Sequence, residues 1–219
     1  LDSHPDITCY AALFRNHRWG KNEFRQLQQS PDLRFYEVDY RMANFEAALE
    51  AVFEATPPVK HVGLKHMAGA QPKIRDHLAK DPQYRKVILR RDNLLAVYAS
   101  NLLVKATGQG SARRNVEVKR APILFDKKEF KVLSSRYEEK YRELRALCAG
   151  GVIEVTYNSL RQGEDMTRLA EFFDIDPAQM VLDTTRKRGN DSIVDRFENR
   201  DDTLAYLKEI DHDQWAVER

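Results

Sequence analysis

A chain of 219 residues with 42% hydrophobic side chains is long enough to bury one sizeable core, and a single domain over 1–219 is the expectation. A net charge of only +2 excludes bulk attraction to nucleic acid and leaves any anion binding to local basic clusters. Two cysteines, Cys9 and Cys148, make neither a disulfide framework nor a zinc site, and no apolar run reaches the ~18 residues that would span a membrane.

In chain order, the first strong helical period runs from Phe45 to Ala55, with Phe45, Leu49, Val52 and Phe53 on one face. After the Pro57-Pro58 punctuation, Val59 to His66 reads as a buried strand and Pro72 to Ala79 as a helix with proline near its start. Lys86 to Arg90 is the next strand, followed at once by a helical pattern in which Leu94, Leu95, Val97, Tyr98, Leu102 and Leu103 are apolar. Asp92 or Asn93 is its N-cap. Pro122 to Phe125 is short and apolar, and Asp126 caps a long helix from Lys127 to about Leu147. There Phe130, Leu133, Tyr137, Tyr141, Leu144 and Leu147 repeat at helical spacing. Val152 to Thr156 is a strand, and helices are expected from Met166 to Phe173 and from Asp191 onward. Cys9 is expected in the core and Cys148 at a helix end. With no signal sequence visible and no membrane span, the chain reads as cytoplasmic.

Strand-helix alternation predicts a three-layer α/β fold with a mostly parallel sheet flanked by helices. Such sheets bind ligands at the carboxyl ends of their strands, where Arg91, His66 and Tyr157 all fall. The string Arg90-Arg91-Asp92-Asn93 between a strand and a helix suits phosphate, because a planar guanidinium grips phosphate oxygens in pairs beside a helix N-terminus. The plainer reading is a turn with solvated arginines.

Several strings, taken together, resemble one family. KVILRRDNLLAVYASNLL (Lys86 to Leu103), LDSHPDITCYAALF (Leu1 to Phe14), VGLKHM (Val62 to Met67), VIEVTYNSLRQGEDMTRLAEFFDIDP (Val152 to Pro177) and TTRKRGNDSIVDRFENRDDTLAYL (Thr184 to Leu207) are similar to segments of sulfotransferases. These enzymes use 3′-phosphoadenosine 5′-phosphosulfate (PAPS), and the chain looks most like the bacterial branch that sulfates lipopolysaccharide and Nod-factor glycans. The resemblance implies the P-loop NTPase-like sulfotransferase fold. It also implies that the chain lacks that fold's N-terminal strand and 5′-phosphosulfate loop, since SHPDI lies just after them in relatives.

By the same resemblance, Arg91 and Ser100 hold the donor's 3′-phosphate, with Arg90 the other possible arginine; the nine-residue gap from Arg91 to Ser100 leaves that choice open. Tyr157 would pack against the adenine, its aromatic face on the purine. Asn158 stands where relatives carry glutamate. Arg186, Lys187 and Arg188 would clamp the 3′-phosphate from a basic loop, although as a charge run alone they read as solvated. Ala12 falls where relatives place a glutamate that deprotonates the acceptor. His66 is the natural replacement as base, and Lys65 could stabilise charge building on the leaving phosphate. Strand alternation puts Lys65 and His66 on opposite faces.

The implied chemistry is metal-free transfer of a sulfuryl group to a hydroxyl, most simply that of a carbohydrate or glycolipid. The acceptor-lining segments would be Asn16 to Met42 and Gln109 to Arg120, with Arg113, Arg114, Lys119 and Arg120 as cations. Two other readings stand beside it. One is a phosphate-loop kinase or nucleotide-binding protein of the same architecture, against which no GxxxxGK[ST] string occurs. The other is a non-catalytic member of the family, which Ala12 suggests.

Overall fold

The computed structural model describes residues 4–11, 13–14, 32–109, 120–180 and 192–218. In chain order its elements are β1 (Ile7–Ala11), α1 (Val38–Ala43), α2 (Phe45–Ala55), β2 (His61–Lys65), α3 (Pro72–Lys80), β3 (Lys86–Arg90), α4 (Leu94–Thr107), α5 (Lys127–Leu147), β4 (Val152–Thr156), α6 (Tyr157–Gln162), α7 (Met166–Phe173) and α8 (Arg200–Glu209). The protein is thus α/β, with helices and a few parallel strands in small sheets. β1 and β2 pair in parallel with Ile7 opposite His61 and Ala11 opposite Lys65, and β3 is hydrogen-bonded with β4. Among the described residues no helix is long and apolar enough to cross a membrane.

The chain divides into two units, one of Leu1–Val87, Leu144–Ile153 and Asp165–Asp183, the other of Ile88–Glu143, Glu154–Glu164 and Thr184–Arg219. In the first, the apolar stripe of α2 (Phe45, Ala48, Leu49, Val52) packs with Tyr10, Leu13, Phe14, Phe35 and Ile74. The Tyr10 hydroxyl lies 2.8 Å from that of Thr56, which donates to the Val52 carbonyl at 2.6 Å, so the polar tip of a buried aromatic is satisfied. Arg41 is fully buried, and its Nη1 donates to the carbonyls of Phe35 (2.8 Å) and Tyr36 (3.3 Å). Burial lowers its pKa, yet a guanidinium keeps its charge in a protein. Ile7, Ala170 and Ile175 form a smaller cluster joined by Cys9 and Phe173.

The second unit is organised by aromatic rings. Tyr98, Phe125, Phe130, Phe197 and Tyr206 meet at centroid separations of 5.4–6.0 Å, mostly edge-on, the arrangement ring quadrupoles favour. Leu94, Leu95, Ala96 and Ala99 of α4 complete this core with Ile193, Val194 and Leu207.

Periodicity located α2, β3, α5, β4 and α7 at the bounds read from sequence, while β2 is shorter than Val59 to His66 and α3 runs one residue further, to Lys80. The helix expected from Asp191 onward is corrected. Asp191 lies outside the described residues, Ser192 bridges Val217, Ile123 bridges Phe197, Val194–Arg196 make a single 3-10 turn, and α-helix begins only at Arg200. The cause is Asn199, whose side-chain amide donates to the Phe125 carbonyl (3.0 Å) and accepts from the Phe125 N–H (2.8 Å), pinning the chain beside residues 123–125. The N-cap left open between Asp92 and Asn93 is Asn93. Sequence periodicity did not find β1, α1 or α6, each only five or six residues long.

One turn is closed sterically. Gly150 has φ +76°, and a Cβ there would lie 2.6 Å from the Pro82 carbonyl oxygen. Beside it the Ala149 N–H donates to the Ala79 carbonyl, and the Lys86 ammonium donates to the carbonyls of Asp81 and Ala149. Gly150→Ala is expected to cost about 2 kcal/mol, the order set by a left-handed backbone plus a main-chain clash, read as a lower urea midpoint at unchanged m-value.

Candidate functional site

The turn from β3 into α4 is fixed from three sides. At the helix start, Asn93 is 2% exposed and its Oδ1 accepts from the Ala96 N–H at 3.0 Å, supplying an orphan helix donor with its partner. The other end of the same amide, Nδ2, donates to the carbonyls of Trp215 and Val217, both at 3.1 Å. From α5, two phenols one helical turn apart reach the end of β3. Tyr141 donates to the Leu89 carbonyl at 3.0 Å, and the Tyr137 hydroxyl accepts the Arg91 N–H at 2.9 Å. The rings lie 4.7 Å apart. Burial, then the bond to Tyr137, raises the Tyr141 pKa well above the ordinary phenol value.

The two arginines at this turn face different partners. Arg90 pairs with Glu138 at 2.6 Å and Glu154 at 3.7 Å, with its guanidinium 5.6 Å from the Tyr141 ring. Arg91 makes a two-pronged pair with Glu218, Nε to Oε1 and Nη2 to Oε2, each 2.5 Å. Its guanidinium is 5.3 Å from the Tyr157 ring, and that of Arg161 is 6.0 Å from the same ring. Tyr157 is placed by the N-terminus of α6, where Thr156 and Ser159 form a capping box. Asn158, next in the helix, donates to Asp92 at 3.3 Å. Of the expected donor-site residues, Arg91 and Tyr157 are therefore brought together, while Arg90 is turned to Glu138 and Glu154. Ser100 is half-buried on α4, in one helical stripe with Asn93 and Val97 and roughly 9 Å along the axis from the first helical residue.

Lys65 and His66 belong to the first unit. Lys65 is the exposed last residue of β2. His66 is half-buried, and its Nε2 donates to the Ala70 carbonyl at 2.8 Å. A carbonyl can only accept, so Nε2 carries the proton and Nδ1 is the basic nitrogen of the neutral ring. Ala12, Arg113, Arg114, Lys119, Arg186, Lys187 and Arg188 lie outside the described residues, as does most of the Asn16 to Met42 segment. Arg120 is described and exposed.

Sequence reasoning missed the partners that set the state of the arginines: Glu218, Glu138 and Glu154. It also read Tyr137 and Tyr141 as core face only, although a phenol every fourth residue opposite a strand is a signal for hydrogen bonds to strand ends. Nothing local marks Glu218, which stands 127 positions from Arg91 in a charged C-terminal stretch. Among the described residues no group of three or more His, Cys, Asp or Glu is arranged to hold a metal. Comparison with models of protein families, with curated proteins and with solved structures finds no match to this chain.

Two outcomes test this geometry. Asn93→Ala removes a helix cap and strands two carbonyls, and is expected to lower stability by about 3 kcal/mol in urea unfolding. Tyr141→Phe is expected to cost about 1 kcal/mol near neutrality. Because the folded state favours the neutral phenol, that contribution is complete below the ordinary phenol pKa near 10 and is lost as pH climbs above it. Stability measured through that alkaline range should fall less steeply in the variant than in the parent.

Proposed function

We propose that this chain is a PAPS-dependent sulfotransferase, or a close derivative of one, built on the P-loop NTPase-like sulfotransferase fold. The observation that carries the reading is the Arg91 guanidinium at the carboxyl end of β3, 5.3 Å from the Tyr157 ring and immediately before a capped helix. A planar cation beside an aromatic face, with a second cation from Arg161 on the same ring, is complementary to an adenosine bearing a 3′-phosphate. Arg91 would take the phosphate oxygens in its fork and Tyr157 the purine. The Ser100 hydroxyl is the further phosphate donor that the family resemblance assigns, as are Arg186, Lys187 and Arg188.

The reaction under this reading is in-line transfer to a hydroxyl, most simply that of a carbohydrate or glycolipid. The acceptor oxygen forms a bond to sulfur as the bond from sulfur to the bridging oxygen breaks. The acceptor proton passes to a base, and adenosine 3′,5′-bisphosphate leaves with the electron pair. His66, through Nδ1, and Lys65 carry the base and cation roles by resemblance alone. Ala12 at the family's glutamate position favours a second reading, a member that binds the donor or a glycan without turnover.

Calorimetric titration with adenosine 3′,5′-bisphosphate and with ADP tests the donor site. The expected result is tighter binding of the 3′-phosphorylated nucleotide, weakened roughly tenfold or more in Arg91→Ala, since a charge-assisted bond is worth about 1.5–3 kcal/mol. Equal binding of the two nucleotides would sink the reading.

A further inference from the structure

Arg91, the residue proposed to receive a phosphate, is not idle in the folded chain. Its Nε and Nη2 both donate to one carboxylate, Glu218, with two parallel contacts of 2.5 Å. That fork-to-fork geometry is the one a guanidinium offers a phosphate. The burial is lopsided: the Glu218 side chain is 1% exposed and that of Arg91 29%, so the arginine keeps an edge open to solvent while its acid partner is enclosed. An incoming anion can therefore reach the guanidinium before the carboxylate has left.

The strap that delivers Glu218 is tied to the rest of the unit through its main chain. Asn93 grips the carbonyls of Trp215 and Val217, the Ile193 N–H donates to the Ala216 carbonyl at 2.7 Å, and Ser192 and Val217 form an isolated bridge rather than a ladder. Val217 itself is 37% exposed. Trp215 and Ala216 pack against the aromatic core, so opening the strap is a local event that lifts a short edge segment, at a lower free energy than unfolding the core itself.

We propose that Glu218 is an internal stand-in for the donor's phosphate: its carboxylate occupies the Arg91 fork in the resting chain, and a phosphate ligand binds by displacing it and releasing the 215–218 strap. This rests on the reading of Arg91 as a phosphate site. The resting chain then binds ligand with an affinity reduced by the fraction of molecules in which the fork is vacant.

The test compares binding of adenosine 3′,5′-bisphosphate to the parent chain and to Glu218→Gln by calorimetry. Amide hydrogen exchange at Ile193 is followed in the parent with and without saturating nucleotide. The inference expects the variant to bind roughly tenfold more tightly or better, and nucleotide to speed exchange at Ile193 while Ala96, inside the helix cap, stays protected. Equal affinity in parent and variant, with Arg91→Ala still weakened, overturns the role of Glu218 and leaves the donor site standing. No binding by parent or variant overturns the donor site, and the inference with it. Should Glu218→Gln fail to fold, the exchange measurement on the parent decides alone: unchanged or slower exchange at Ile193 under saturating nucleotide overturns displacement.

Discussion

A buried amide must satisfy both its ends, and at Asn93 that requirement ties together parts of the chain far apart in sequence. Its oxygen completes the first turn of α4 and its nitrogen holds the carbonyls of Trp215 and Val217. No aliphatic side chain of that size could do both, and an aspartate would supply the helix but repel the carbonyls. Because Arg91 lies two residues upstream and Glu218 one residue beyond Val217, the meeting of cation and carboxylate is inherited from this amide. The helix that begins there carries Leu94, Leu95 and Ala99 into the aromatic core.

The electrostatics of the turn follow a consistent pattern. Each of the two arginines at the turn already has a carboxylate of its own, Glu138 and Glu154 for Arg90 and Glu218 for Arg91. A net charge of +2 over the chain therefore hides local neutrality at the place where an anion would be expected. Under the proposed reading, recognition of a phosphate here would be an exchange of one anion for another, its free energy the difference between two charge-assisted contacts, not the full value of either. Arg90, with two carboxylates and the Tyr141 ring around it, is better suited to holding α5 and β4 against β3.

What the sequence disclosed and what it withheld divide along range. Helical periods and caps act within a few residues, so α2, α5 and α7 could be read at their bounds, as could the Asp126 cap, whose Oδ1 accepts from the Glu129 N–H at 2.8 Å. The strand-to-helix turn at Arg91 was legible for the same reason, whereas the approach of Tyr157 to its guanidinium is a contact across 66 positions that only the fold supplies. β1 was not, because ITCYA has no alternation and its pairing partner lies more than fifty positions away. The irregular run before α8 was misread as helix because Asn199 is held by Phe125, a tie that no local window contains. Glu218 belongs to the same class: its partner Arg91 lies 127 positions away, and only the fold shows that it is enclosed.

The Arg91 main chain and side chain are secured independently. Its N–H is bonded to the Tyr137 phenol, whereas its guanidinium is bonded to Glu218. The backbone course at the end of β3 therefore does not depend on which side chain occupies the position. Chemistry at this point of the chain is in effect modular: selection could exchange the guanidinium for another group that donates to the enclosed Glu218, retuning which ligand is welcomed, without rerouting the strand or the helix that follows it.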